Sequence, residues 1–211
     1  MAEIPIKPPR IAFDRYSLKN QYIKAVRLAA ECGIKYLSNY VLFNYDDTPE
    51  DFYRRLKINT ELNEEFEEKG YESRIWSFPM KYTPVTGEHS KDRRFIGEHW
   101  NPRHLRSIQC ILNATHGVVG PKRKFFEAAF GENIKEFKKL LLMPDEYIIY
   151  REEHKYNGSA VWNSLYRSLS AKQKEDFYNL VCKNQFNNDH RSKYKKINIL
   201  LSHYKKHKAH S

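Results

Sequence analysis

The sequence predicts an α/β fold: a half-built parallel βα layer of about three strands, followed by a mainly helical C-terminal extension. Three observations predict it. Residues Gly33 to Leu56 read as a strand, a tight polar loop and a capped helix. Two more strand-like segments flank that unit, giving the order βαβαβ, which favours neighbouring parallel strands. Beyond Val85 the pattern changes, first to a polar, loop-like stretch and then to mainly helical apolar spacing.

Taken in order, the PIKPP of residues 5–9 is a stiff, extended lead-in. Arg10 to Asp14 is a short strand ending in a carboxylate. Ser17 is the expected cap of the next helix, whose Tyr22, Ala25, Val26, Ala29 and Ala30 recur at helical spacing. Gly33 suits the C′ position that ends it. The central strand carries Ile34, Tyr36, Leu37, Tyr40, Val41, Leu42 and Phe43, a near-continuous apolar run of the kind a strand covered on both faces needs. After the turn Asn44-Tyr45-Asp46-Asp47, Thr48 fits the N-cap, Pro49 the first helical position, and Glu50 and Asp51 place negative charge in the first turn. This helix runs to about Lys69 and Gly70. Ser73 to Phe78 is the third strand.

Residues 86–103 are polar and loop-like. Helices are expected from Pro102 to Ala114, Arg123 to Phe130, Ile134 to Leu142, Ala160 to Leu169, Ala171 to Lys183 and Lys195 to Tyr204, with Ser170 as a cap. Tyr147 to Arg151 suits either a short strand or a short helix. The chain therefore divides into a parallel-sheet part at 1–85, which the resemblance given below makes a barrel half, a helical extension at 86–183 and a basic tail at 184–211. With PIKPPRIAFD at its start, the first strand is expected to lack a partner on its outer side, leaving an edge for the C-terminal helices or another polypeptide to cover.

The chain has 211 residues and a net charge of +11, with a pI near 9.4. Residues 183–211 hold eight Lys or Arg against one acid, Asp189, so the tail carries most of the excess. It reads first as a solvated tail and second as a weak nucleic-acid contact. Cys32, Cys110 and Cys182 are an odd, widely spaced set, which argues against a disulfide framework and for a reducing compartment. With no apolar signal core and no stretch of membrane-spanning length, the expected location is the cytoplasm, with no membrane partner.

Three segments in order, RIAFD, NYVLFNYDDTPEDFYRRLKIN and SFPMKYTPV, resemble the C-terminal half of the core barrel of radical S-adenosylmethionine enzymes, with the order and spacing of that family's fourth, fifth and sixth strands. GEHWNPRHLRSIQCILNATHGVVGPKRKFFEAAFG resembles the extension after the sixth strand in some members. The likeness covers roughly residues 10–150. It implies a partial (β/α)6 barrel, S-adenosylmethionine and a [4Fe-4S] cluster held by CxxxCxxC. The end of the fourth strand then offers Asp14 to the nucleoside ribose. On the family's fifth-strand pattern GxIxGxxE this chain places Tyr40, Leu42, Asn44 and Asp47, with both glycines absent and Asp in place of Glu. Aligned on the helix start, the register shifts by one. The sixth strand brings Phe78, Pro79 and Met80 beside the adenine. No CxxxCxxC is present, because 77 and 71 residues separate the three cysteines, and no GGE sequence is present. The chain alone is thus not expected to hold a cluster or to be active, whereas an N-terminal half supplied in trans would complete it. The other readings are a basic nucleic-acid-binding module and an inactive remnant.

Other constellations have plainer explanations. His203, His207 and His210 sit at i, i+4 and i+7, but four committed ligands are usual for structural zinc and a solvated tail suits them better. Gly117 to Lys124 lacks the Walker spacing and reads as a loop rather than a phosphate cradle. Asp46, Asp47, Glu50 and Asp51 can act as acid and base, but helix capping accounts for them.

Overall fold

A computed structural model of the chain describes residues 8–91, 94–150, 158–186 and 191–204. Two compact units emerge, one comprising Met1–Trp100 and Thr115–Lys138, the other Asn101–Ala114 and Lys139–Ser211.

The first unit is built on three strands, β1 (Arg10–Ala12), β2 (Tyr36–Phe43) and β3 (Arg74–Lys81), in the order β1-β2-β3. Both pairings are parallel, with Ala12 opposite Tyr40, Tyr40 opposite Phe78 and Leu42 opposite Met80. The connections are helices α1 (Lys19–Glu31) and α2 (Pro49–Glu68). At the start of α2, Thr48 Oγ1 accepts from Asp51 N while the Asp51 carboxylate accepts from Thr48 N, a reciprocal capping box. Ser17 does not cap α1. It lies in a 3-10 turn, Tyr16–Leu18, and α1 begins at Lys19 behind Leu18 with no side-chain cap.

Helices α1 and α2 cover one face of the sheet. Val26, Ala30, Leu37, Leu62, Phe66 and Ile75 form its dry core, and fully burying such a side chain contributes about 1.5–3 kcal/mol. Phe13 stacks on Tyr22 with centroids 4.2 Å apart. A polar knot crosses this core. Asn59 accepts from Tyr22 Oη at 2.7 Å and donates to Asn39 Oδ1 at 2.7 Å and Ser77 Oγ at 2.8 Å, while Asn39 Nδ2 donates to Ile11 O at 2.9 Å. Two asparagines, Asn59 and Asn39, thus link α1, α2 and all three strands, so a slip in strand register would leave buried amides without partners.

The third strand runs past the expected end at Phe78 and includes Pro79. Arg74 N donates to Lys35 O and Tyr82 N to Phe43 O, so even-numbered residues of β3 turn their amides toward β2. Odd-numbered residues face outward, and there the missing proline N–H removes no ladder bond. Helices α3 (Pro102–Ala114), α4 (Arg123–Phe130) and α5 (Ile134–Leu140) follow. Of these, α4 and α5 belong to the sheet-bearing unit. There Phe126 and Phe137 pack on Tyr53, and Phe130 on Phe52.

In the second unit, α3 is joined by α6 (Asp145–Ile149), α7 (Gly158–Arg167), α8 (Ala171–Val181) and α9 (Lys195–Ser202). Ser170 caps α8 in a capping box with Gln173. The segment expected as strand or helix at 147–151 is helical through Ile149, and Arg151 lies outside the described residues. Among the described residues no helix is long and apolar enough to cross a membrane.

Candidate functional site at the carboxyl end of the sheet

Parallel βα units gather loops at the carboxyl ends of their strands, where ligand sites form. Here that end is shaped by one buried guanidinium. The Arg55 side chain, fully buried on α2, donates from Nη2 to Asp47 Oδ2 at 2.6 Å and from Nη1 to Phe13 O at 2.7 Å and Asp14 O at 3.0 Å. The remaining Asp47 oxygen accepts from Tyr45 N at 3.1 Å and Trp100 Nε1 at 3.2 Å. Burial pushes the Asp47 carboxyl above the ordinary carboxylate range, against the pull of Arg55. The pair's role is geometric: it ties the exit of β1 to the loop after β2.

Asn44 performs the same task on the other side. It adopts a left-handed backbone, φ 71°, which Asn tolerates. Its Nδ2 donates to Tyr82 O and Phe95 O, and its Oδ1 accepts from Gly97 N at 2.9 Å. Gly97 passes so close that a Cβ there would lie 2.4 Å from Tyr45 O, so only glycine fits.

The sheet face opposite α1 and α2 is only partly covered, with Ser38 buried on it. Along β2 and β3 the alternate residues Tyr36, Trp76 and Met80 are 65%, 40% and 49% exposed. Between them Tyr40, Leu42 and Phe78 are half-buried, and the Tyr40 and Phe78 rings meet at 5.7 Å. Arg10 lies over Tyr40 at 5.8 Å. Asp14 stands exposed at the end of β1, one oxygen accepting weakly from Leu42 N at 3.4 Å.

Of the residues singled out from sequence, Tyr40, Leu42, Phe78 and Met80 share this face, with Asp14 at its carboxyl-end rim. Pro79 falls on the opposite parity, with Ile75 and Ser77. Asn44 and Asp47 lie at the same end but are buried and committed to the loops. The acidic knot is likewise committed: Asp46 pairs with Arg15 at 3.0 Å, Glu50 with Lys138, and Asp51 caps α2. Lys122 and Arg123, at the loop weighed as a phosphate cradle, pair with Glu67 and Glu64. His203 Nδ1 is 2.7 Å from Tyr147 Oη, and His207 and His210 lie outside the described residues. Among the described residues no three His, Cys, Asp or Glu side chains come together as a metal site.

The sequence reasoning missed Arg55, Trp100 and Gly97. A tryptophan and a glycine inside a polar loop were the available signal, but nothing in their spacing names their partners.

The edges of the sheet differ. Beyond β3, Ile75 N donates to Asn63 Oδ1 at 2.7 Å and Ile75 O accepts from Asn63 Nδ2 at 3.0 Å. Ser77 exchanges both backbone bonds with Val119, and Pro79 has no N–H. That edge is closed at Ile75 and Ser77 and carries no donor at Pro79. Beyond β1, Phe13 N donates to Tyr40 O and Ser38 N to Pro9 O, so the amides and carbonyls of Arg10 and Ala12 face away from β2. Among the described residues these meet no partner.

No protein-family model, no curated protein and no solved structure matches the chain.

Proposed function

We propose that the sheet is the adenosine-side wall of a radical S-adenosylmethionine barrel, with β1, β2 and β3 as its fourth, fifth and sixth strands. The observation that carries the reading is the asymmetry of the edges. A sheet sealed beyond β3 at Ile75 and Ser77 and, among the described residues, open beyond β1 suits the last three strands of a barrel that continues past β1 and stops at β3. The partly covered face supports it as well, because parallel strands are normally covered on both faces.

The residues present fit a nucleoside. Tyr40 and Phe78 offer aromatic surface on that face for an adenine, and Asp14 offers a carboxylate oxygen at the rim for ribose hydroxyls. Leu42 and Met80 extend the apolar floor. Asn44, Asp47 and Arg55 hold the loops in place rather than touch the ligand. The [4Fe-4S] cluster does not fit the described residues, since such clusters need closely placed thiolates. Its ligands would come from additional polypeptide, together with the strands beyond β1.

The test is to purify the chain together with a polypeptide carrying CxxxCxxC on a first strand, reconstitute iron and sulfide, and assay 5′-deoxyadenosine. Product that depends on both components is expected, reduced by Asp14→Asn and Phe78→Ala. If no such polypeptide binds the chain and none yields product, the reading is wrong.

A further inference from the structure

We propose that a cavity in the second unit binds a small organic carboxylate, with Arg106 as its anchor. The cavity has a volume of about 590 Å³, within the range of small-molecule sites. It goes beyond the sheet reading and depends on none of it.

The argument begins with a fully engaged neighbour. Arg103 is buried, and each of its nitrogens has a partner: Nε donates to Ser107 Oγ at 3.1 Å, Nη1 to Asn184 Oδ1 at 2.9 Å, and Nη2 to Met143 O at 2.7 Å and Asp145 Oδ1 at 2.8 Å. The other Asp145 oxygen accepts from Arg106 Nε at 2.7 Å. That single bond fixes Arg106 sideways on. Its two terminal nitrogens meet no partner among the described residues, and the side chain is 43% exposed at the cavity wall. A guanidinium held by Nε, with its Nη atoms open, presents a fork that matches a carboxylate.

Asn184 lies on the same wall. Its backbone is left-handed, φ 52°, and its Oδ1 is taken by Arg103, so its Nδ2 remains to donate to a bound anion. Ile149 and Phe186 supply apolar lining for the body of the ligand. Glu146 lines the cavity too, with no ion-pair partner among the described residues, and Asp145, His203 and Tyr204 are the other titratable groups besides the two arginines. Two arginines against two carboxylates leave the wall near neutrality. That balance admits a monoanion and disfavours a phosphate dianion.

The test uses the full chain, with hydrocinnamate as the probe and calorimetry or amide chemical shifts as the readout. Saturable binding is expected. Arg106→Gln, at a partly exposed position, leaves the fold intact and weakens binding about tenfold or more. Arg106→Lys keeps the charge without the fork and falls between the two. Glu146→Gln tightens binding a few-fold, and hydrocinnamamide, which lacks the charge, binds no more than the Arg106→Gln protein does. The assignment is overturned if hydrocinnamate shows no saturable binding, if Arg106→Gln leaves its affinity unchanged, or if inorganic phosphate binds as tightly. Failure of this assay leaves 5′-deoxyadenosine formation untouched, and the converse also holds.

Discussion

The two edges of the sheet have been treated in opposite ways. Beyond β3, Asn63 reaches from α2 to satisfy both backbone groups of Ile75, Val119 satisfies Ser77, and a proline removes the next donor. Beyond β1, the outward groups of Arg10 and Ala12 meet no partner among the described residues, and the strand's exit is held by Arg55. An exposed edge is a template for further pairing, and proteins ordinarily blunt it. Among the described residues one edge is blunted by three separate devices and the other is bare, which is the contrast the proposed joining at β1 rests on.

The largest test of this contrast is Arg55→Ala. It leaves Asp47 buried without its counter-charge and frees the carbonyls of Phe13 and Asp14, so a loss of about 3–5 kcal/mol is expected in chemical denaturation. Asn63→Ala follows, opening the closed edge. Ile75 then has an unsatisfied buried N–H and C=O, at a cost of about 2–4 kcal/mol, and hydrogen exchange at Ile75 should rise sharply. A third test weakens the knot that ties the strands together. Burial raises the Tyr22 hydroxyl far above its ordinary value, against the hydrogen bond to Asn59. The fold therefore keeps this contribution below the unfolded-state pKa of about 10 and loses it as pH rises beyond, by at most about 1.4 kcal/mol per pH unit. Tyr22→Phe should flatten that alkaline decline in a pH-stability profile. The smallest expected effect on stability is that of Ala12→Pro, under about 1 kcal/mol, because the amide it removes faces away from β2. Its effect on complex formation should be the greatest of the four: co-purification with a strand-donating partner is lost. An Ala12→Pro protein that still binds its partner and makes 5′-deoxyadenosine would refute the joining role of this edge.

The helix at Pro49 was legible because its signals are local: Thr48, Pro49 and Asp51 act on one another within four residues. The same holds for Ser170 and Gln173. The three parallel strands followed from their apolar runs and from the helices between them. What sequence could not supply were partnerships across long separations. Asn63 with Ile75, Asn59 with Asn39 and Arg103 with Asp145 are pairs of common residue types, and no spacing rule joins them. Asn44 and Asp47 show the same limit from the other side. They were placed at the ligand end of the sheet and they are there, but a polar residue at a strand end suits a ligand and a loop clasp equally well, and both are engaged by neighbouring backbone and by Arg55. Ser17 lost its expected cap because a 3-10 turn intervenes and moves the helix start to Lys19.

The seal that Val119 and Asn63 place on β3 limits stoichiometry. Head-to-tail stacking of copies requires two mating sides on each, and among the described residues this sheet presents one. If the proposed joining at Arg10 and Ala12 holds, with a second copy through a two-fold contact or with a different polypeptide, association by this route ends at a pair instead of growing into a fibre.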